Sequence, residues 1–268
     1  MEFILALQFL TAIPVSIRGR VEDRNLARSM AYYPLVGLIL GIIAALMYAL
    51  ISLKLPGPVS NLAVIVLMVM ITGNLHLDGL MDTVDGIYSG RPRERILEIM
   101  KDSRVGSHGV VAGVLTLLAK YTLLWQIPHQ TMLFTLVIVP ALGRWSQVYG
   151  SAMFSYARAE GGTGTFTDMV GKRELFWSSV TVLAAIVIGF LLQSGFLTVA
   201  VLNKEVVVTA LVRSGALAGT VFVCTAGLGR YISGKLGGLT GDTYGAINEC
   251  VEVVSLLALL IIFTPGSF

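Results

Sequence analysis

Residues 34–53, PLVGLILGIIAALMYALISL, run for 20 positions without a charged side chain. A helix of about 20 mostly apolar residues is long enough to cross the hydrocarbon core of a bilayer. The whole chain agrees with this, because 55% of its 268 residues are hydrophobic and only 13% are charged, against roughly 25% charged in an ordinary soluble domain. The sequence therefore predicts an integral membrane protein.

Further apolar stretches predict an all-α, polytopic helical bundle, taken as one membrane-embedded domain over residues 1–268. The seven predicted transmembrane helices are 34–53, 59–73, 110–127, 131–143, 175–202, 206–229 and 250–263. The apolar segment 1–17 is short for a span and is interrupted by Pro14, so we expect an interfacial or re-entrant helix there. Apolar residues at helical spacing after Pro92 predict an amphipathic helix, which lies on the membrane or packs against another segment.

Basic residues alternate between the loops and so predict the orientation of the bundle. Four loops are basic, and the loops between them offer only Lys54 and Lys204. The basic loops carry Arg18, Arg20, Arg24 and Arg28; Arg91, Arg93, Arg95, Lys101 and Arg104; Arg158, Lys172 and Arg173; and Arg230 and Lys235. By the positive-inside rule these loops face the cytoplasm and the C-terminus lies outside a plasma (cell inner) membrane. The net charge of +3 thus reflects membrane orientation, and no nucleic-acid-binding module is visible.

Three charged residues fall inside predicted spans, namely Lys120, Arg213 and Glu252. A charge in hydrocarbon is costly, so such residues usually face the protein interior or a wet cavity. For Lys120 and Arg213 the alternative is that a long side chain reaches the membrane surface.

The densest polar motif is HLDGLMDTVDG at residues 76–86. At 100° per residue, Asp78, Asp82 and Asp85 lie on one face of a helix. Three carboxylates there repel one another unless cations neutralise them, and hard oxygen ligands suit Mg²⁺ bridging to phosphate. Gly79 and Gly86 would let a phosphate approach the backbone. A solvated acidic helix cap is the alternative.

A second motif, KDSRVGSHG at residues 101–109, places cations beside a carboxylate and an imidazole. Lys101 and Arg104 suit a phosphate ligand, and Asp102 would orient Arg104 or join the metal shell. His108 is a candidate general acid or base, because the imidazole side chain as a class can exchange a proton near neutral pH.

A third motif is the glycine-rich stretch 229–245. Residues 229–235 nearly match a P-loop, but Leu236 replaces the Ser or Thr that would bind Mg²⁺, and a membrane helix rather than a strand precedes it, so a Walker A site is excluded. A glycine-rich loop with Lys235 and Asp242 still suits a nucleotide phosphate. The patch 158–164 would close over a substrate or form a mobile turn.

In this order and spacing, HLDGLMDTVDG, KDSRVGSHG and LGGLTGDTYGA (residues 236–246) closely resemble the cobalamin synthase family of corrinoid biosynthesis. FLTAIPV at 9–15 and YPLVGLILG at 33–41 extend the resemblance over nearly the whole chain. It implies a Mg²⁺-dependent membrane enzyme that joins adenosylcobinamide-GDP to α-ribazole, or to its 5′-phosphate, and releases GMP.

The resemblance and the residue chemistry together give each motif a predicted role. The metal ligands are Asp78 and Asp82, with Asp85 as a third ligand or as the base; the catalytic residues are Asp82, Asp85 and His108. The predicted substrate-binding residues are Asp102, Arg104, Lys235, Gly238, Gly241 and Asp242.

Two other functions fit parts of the sequence. Residues 82–91 look like the opening of the CDP-alcohol phosphotransferase motif, but with an extra residue before Arg91 and without the GxxxDxxxD continuation. A secondary transporter would also carry intramembrane charges, but its acidic site should lie near the middle of the bilayer.

Overall fold

A computed structural model describes residues 1–15, 17, 20–158, 164–194 and 204–264. Within these ranges the chain is helical, with no β-strand. The α-helices are α1 (Glu2–Leu10), α2 (Asp23–Ser29), α3 (Tyr33–Ile51), α4 (Gly57–Ile71), α5 (Leu75–Tyr88), α6 (Arg93–Ile99), α7 (Ser107–Gln126), α8 (His129–Met153), α9 (Gly164–Thr167), α10 (Lys172–Gln193), α11 (Lys204–Leu236) and α12 (Gly241–Phe263).

Six helical segments among the described residues are long and apolar enough to cross a membrane. They are the continuous segment from α2 through α3, and α7, α8, α10, α11 and α12. A seventh span results if α4 and α5, which meet at an angle of 84°, are counted together. The predicted all-α polytopic bundle is therefore confirmed.

Three predicted spans were too short. Helix α11 continues to Leu236 instead of ending at residue 229, and the errors in α8 and α12 have a common cause. Helix α8 continues to Met153 instead of ending at residue 143, and α12 begins at Gly241 instead of residue 250. The added turns carry Arg144, Gln147 and Glu249, which lower the hydropathy of the sequence although all three side chains are buried. Polar residues that pair inside a bundle are thus mistaken for loop residues.

Helices α3 and α8 pack closely at the centre of the bundle. Gly37 and Gly41 lie one turn apart on α3, and a Cβ atom on Gly37 would come within 2.6 Å of the Ala141 backbone. Small residues four positions apart let membrane helices approach to backbone contact. This explains why the conspicuous glycines in YPLVGLILG do not break the helix.

The N-terminal segment packs against the bundle. Helix α1 has nine residues, too few to cross a membrane, and it buries Ala6 and Leu10 beside α2 and α3. After it, the backbone N–H of Ala12 donates to the carbonyl oxygen of Ile71 at 2.7 Å. The N-terminal segment thus caps the C-terminal end of α4.

The amphipathic helix predicted after Pro92 is the short α6, and it packs on a partner helix. Ile96 and Met100 are buried and lie against Gly86 of α5. On the other side, the guanidinium of Arg93 donates to the carbonyl of Leu236 at the end of α11 and to that of Ala157 at 2.8 Å. Helix α6 therefore ties α5 to the end of α11.

The three charged residues inside the predicted spans lie in different environments. Lys120 and Glu252 face each other in the interior, with Nζ and Oε2 2.6 Å apart, so the prediction of an interior position is correct for both. Arg213 is half-buried on α11.

Candidate active site

Helix α5 lies across one end of the bundle, where α7 and α12 begin and α8 and α11 end. The chain turns into it through Gly73 and Asn74, both with positive φ (59° and 63°). A left-handed backbone is unusual for a residue other than glycine and marks a sharp break. Helix α5 then packs through small residues: a Cβ atom on Gly79 would lie 2.6 Å from the carbonyl oxygen of Asp242, and one on Gly245 would lie 3.0 Å from that of His76.

The glycines of the aspartate motif serve this packing. Gly79 faces α12, and Gly86 faces Ile96 and Met100 of α6. Both are buried, so the prediction that they admit a phosphate to the backbone is wrong. Their lack of a side chain instead brings the aspartate helix into backbone contact with its neighbours.

Four carboxylates converge beside α5. Asp78 is exposed and Asp82 is half-buried; burial, and then the charges of Asp78, Asp242 and Asp85, raise the pKa of Asp82 to about 7. Arg158 supplies a nearby positive charge, since its Nη2 lies 2.7 Å from Oδ2 of Asp242. The carboxylates outnumber the cations held beside them, and this imbalance favours the binding of a cation or a cationic ligand.

Asp85 has a structural role that the sequence did not reveal. Its Oδ2 accepts a hydrogen bond from the backbone N–H of Gly106 at 2.7 Å, and its Oδ1 accepts one from Gly109 at 2.8 Å. These are unpaired amides at the start of α7, so the carboxylate caps that helix from another element. A Cβ atom on Gly106 or Gly109 would collide with the carboxylate, which explains both glycines of the second motif.

The other polar residues of the second motif lie on the surface. Arg104 is exposed, and its Nη2 donates to Oδ2 of Asp102 at 2.7 Å; the hydrogen bonds from Arg104 lower the pKa of Asp102 to about 2. Asp102 therefore orients Arg104, one of its two predicted roles. His108 is exposed on the first turn of α7, with its ring 6.1 Å from that of Tyr88.

The third motif is a tight turn between α11 and α12. Gly238, at φ 154°, is buried against the carbonyl oxygen of Ser155, and Leu239 pairs with the chain at Tyr156. Thr240 caps α12, whose first residue is Gly241. These contacts bring Arg158 to Asp242, while Lys235 lies exposed on α11 with no hydrogen-bond or ion-pair partner among the described residues.

The structure thus joins Asp78, Asp82, Asp85 and Asp242 into one cluster and links the second motif to it through Gly106. Direct contact of Arg104, His108 or Lys235 with the cluster is not seen in the described part of the chain. Sequence reasoning underestimated Arg158, which belonged only to the weak patch 158–164. Residues 159–163 of that patch lie outside the described residues.

The carboxylate cluster suits Mg²⁺ in the way that nucleotide-binding enzymes hold it. Over the described ranges, no group of three or more His, Cys, Asp or Glu side chains forms a ready-made metal site. Magnesium, however, is commonly held by one or two carboxylates together with waters and substrate phosphates. Asp78 and Asp82, one turn apart with an excess of negative charge around them, fit that arrangement.

Comparisons with known proteins agree with these motifs. A profile of the family described as cobalamin-5-phosphate synthase matches residues 2–260. An adenosylcobinamide-GDP ribazoletransferase of Desulforamulus reducens is 39% identical over 260 residues, which cover 96% of this chain and 95% of that protein. Proteins of the same name from Clostridium novyi and Geotalea daltonii are 36% and 37% identical, each over 97% of this chain and over 96% and 97% of their own lengths. No solved structure matches.

Proposed function

The chain belongs to the cobalamin-5-phosphate synthase family, and from this premise we propose that it joins adenosylcobinamide-GDP to α-ribazole or its 5′-phosphate and releases GMP. The family match spans residues 2–260. The observation that carries the proposal to particular residues is the carboxylate cluster beside α5, with Arg158 at its edge. Such a cluster suits the pyrophosphate of a nucleotide-linked substrate held together with a divalent cation.

The reaction is a substitution at phosphorus. The 3′-hydroxyl oxygen of ribazole forms a bond to the phosphorus nearer the cobinamide, the bond from that phosphorus to the bridging oxygen breaks, and GMP leaves with the bond electrons. The hydroxyl proton passes to a base. Bound Mg²⁺, held by Asp78 and Asp82, would supply charge stabilisation at the pyrophosphate.

The other residues of the proposal take supporting roles. Arg104, Lys235 and Arg158 are cations for phosphate oxygens, and Asp102 holds Arg104 through the ion pair. Both oxygens of Asp85 accept backbone N–H groups, which favours a role in holding α5 and α7 together over a role as the base. Asp82 and His108 are then the candidates to accept the proton.

We further propose that the site end of the bundle faces the cytoplasm from the plasma membrane. Support comes from the basic residues, because the arginines and lysines of α2, the start of α10, the end of α11 and the segment between α5 and α7 lie at the end of the bundle that α5 crosses. Lys54 and Lys204 are the basic residues of the opposite end among the described residues. This is the asymmetry of the positive-inside rule.

The alternative functions lack comparable support. A CDP-alcohol phosphotransferase needs the motif continuation that is missing after Arg91. A secondary transporter should hold its ligand between repeats near the bilayer centre, whereas the aspartate helix lies across one end of the bundle.

The proposal is tested by measuring GMP release by the purified protein in liposomes. We expect GMP from adenosylcobinamide-GDP in proportion to α-ribazole consumed, little without ribazole, and none in EDTA. A site that positions one alcohol and excludes water gains from effective molarity, whereas a hydrolase admits water freely. Equal release without ribazole would refute a transferase, and undiminished release in EDTA would refute the metal dependence.

A matched pair of variants tests the metal ligands. Asp78→Asn keeps the shape of the side chain but removes a ligand charge, so it should reduce turnover by orders of magnitude without preventing membrane insertion. Asp23→Asn makes the same change at an exposed aspartate on α2 and should leave turnover unchanged. Near-native turnover of Asp78→Asn would remove Asp78 from the metal site.

A further inference from the structure

A buried polar network lies inside the bundle behind α5. Its residues come from four helices, they are all buried or nearly so, and each is bonded to another member. They are His76 of α5, Lys120 of α7, Arg144 and Gln147 of α8, and Asn248, Glu249 and Glu252 of α12. Ionisable groups within a membrane bundle are costly and are by default candidates for function.

The centre of the network is a chain of ion pairs. The Nζ atom of Lys120 lies 2.7 Å from Oε2 of Glu249 and 2.6 Å from Oε2 of Glu252. The other oxygen of Glu252 accepts from Nη1 of Arg144, a residue only 1% exposed. Two cations thus match two carboxylates, and their attraction and hydrogen bonds offset the desolvation penalty of the buried charges.

The network reaches the aspartate helix through His76. Nη2 of Arg144 lies 3.4 Å from Nδ1 of His76, and Nε2 of Gln147 lies 2.9 Å from its Nε2. Gln147 is held in turn by Asn248 at 3.0 Å. His76 is 3% exposed and stands two residues before Asp78. Because a neutral imidazole accepts at only one nitrogen, the ring takes one of these two N–H donors as its hydrogen-bond partner and packs against the other, and in this way it anchors the first turn of α5.

The anchor at His76 matters because α4 does not determine the direction of α5. The helix is interrupted at Thr72–Asn74, and the two parts meet at 84°, so tertiary contacts must set the direction of α5. A cavity of about 80 Å³ lies beside its first turn, lined by Thr72, Asn74 and His76 and by Lys120 and Arg144 of the network. On that side the helix is held by hydrogen bonds rather than by close packing.

We propose that Arg144 is a positioning residue for the aspartate site: held by Glu252, it fixes α5 through His76 and so sets where Asp78 and Asp82 present their carboxylates. Lys120 and Glu249 complete the charge balance that keeps Arg144 in place. The proposal rests on the proposed function, because it assigns Asp78 and Asp82 to the metal and pyrophosphate. It differs from a purely structural role in requiring that the site change even when the bundle stays folded.

Two conservative variants test the link. Arg144→Lys keeps the charge beside Glu252 but replaces the fork that also reaches His76 with a single ammonium. His76→Leu removes both ring nitrogens without changing the charge of the network. The matched control is Arg213→Lys, the same exchange on α11, where the structure gives the arginine no hydrogen-bond or ion-pair partner among the described residues.

Three quantities are measured for each purified variant: the melting temperature in EDTA, the rise in melting temperature on adding Mg²⁺, and GMP release. We expect Arg144→Lys and His76→Leu to melt in EDTA close to the control but to show a smaller rise with Mg²⁺. Turnover should fall by roughly 100-fold, the size of effect that a displacement of about 1 Å produces. The Mg²⁺-induced rise in melting temperature reports on the aspartate site without any reaction, so it tests the positioning role of Arg144 by itself. The proposed function is tested separately, because it fails if the native protein releases no GMP.

The contrary results are equally definite. A native Mg²⁺ response and native turnover in His76→Leu would overturn the proposal, since the link would be dispensable. A fall in the EDTA melting temperature with an unchanged Mg²⁺ response would also overturn it, because the network would then only stabilise the bundle. If Arg144→Lys does not fold, His76→Leu decides; failure of both to fold makes the network a requirement of folding and overturns the proposal as well.

Discussion

Replacement of Asp82 by asparagine should stabilise the metal-free protein while abolishing its activity. Burial and the neighbouring carboxylates raise the pKa of Asp82 from 3.8 to about 7, so the folded state binds this proton more tightly than the unfolded chain does. As pH rises from about 4 to about 7, the unfolded chain releases the proton first, and the native protein loses stability. Above about pH 7 the full penalty is present, and Asp82→Asn removes it.

The size of the effect follows from the pKa. The rise from 3.8 to about 7 is roughly three pH units, which at about 1.4 kcal/mol per unit corresponds to ~4 kcal/mol. Because the side chain is partly exposed, solvent screening reduces this to about 1–2 kcal/mol. A bound divalent cation would make the native protein more stable than Asp82→Asn, because the cation stabilises the native site and finds one charged ligand fewer in the variant.

The assay is unfolding in detergent at pH 5 and pH 8, in EDTA and in Mg²⁺, for the native protein, Asp82→Asn and the control Asp23→Asn. In EDTA the variant should exceed the native protein in free energy of unfolding by more at pH 8 than at pH 5, and in Mg²⁺ the difference should shrink or change sign. The control should show neither effect. A variant no more stable than the native protein at pH 8 in EDTA, or a difference that does not depend on pH, would refute the idea that crowding strains this carboxylate.

Three further predictions test the packing and the orientation. Asp85→Ala removes both acceptors from the start of α7 and should lower the free energy of unfolding by about 2 kcal/mol; a loss below about 0.5 kcal/mol in denaturant titration would contradict the cap. Gly79→Ala places a methyl group against the backbone of α12 and should cost about 1–3 kcal/mol, whereas Gly219→Ala, with open space around it, should be neutral or slightly stabilising in the same titration; equal effects would rule out the close contact. Cysteines at Ser89 and Ser194 should react with impermeant reagents from the cytoplasmic and the outer side respectively, and labelling from one side would overturn the orientation.

The fold could be predicted where hydropathy alone decides it. The run at 34–53 became α3 with its end shifted by two residues, because an uncharged apolar stretch of that length has few alternatives in lipid. Hydropathy failed where polar side chains are buried by pairing, as at Arg144 and Glu249. Their partners lie more than 100 positions away in sequence, so periodicity could not reveal that the segments continue as helix.

The site was predictable at the level of residues that share one helix face. The spacing of Asp78, Asp82 and Asp85 placed them together, since helical geometry is local. The spacing could not reveal that both carboxylate oxygens of Asp85 accept hydrogen bonds from the amides of α7, because an acceptor for backbone N–H groups and a metal ligand look alike in sequence. Nor could it identify Arg158 as a partner of Asp242, since that ion pair depends on the contact between the turn at Leu239 and the chain at Tyr156.

The break between α4 and α5 is consistent with the demands of a charged site on a membrane helix. A continuous helix would carry Asp78 and Asp82 along the membrane normal, where an unpaired carboxylate in hydrocarbon costs several kcal/mol. The 84° bend instead lays them across the end of the bundle, where Asp78 is exposed and water and a nucleotide can reach it. A helix without a continuous connection needs other anchors, and α5 has three: the glycine contact with α12, the cap that Asp85 places on α7, and the contacts of Arg144 and Gln147 with the His76 ring. The glycine contact runs from His76 to Gly79 and the cap holds the C-terminal half, so the polar contacts of the His76 ring add a side-chain anchor on the turn that leads into Asp78.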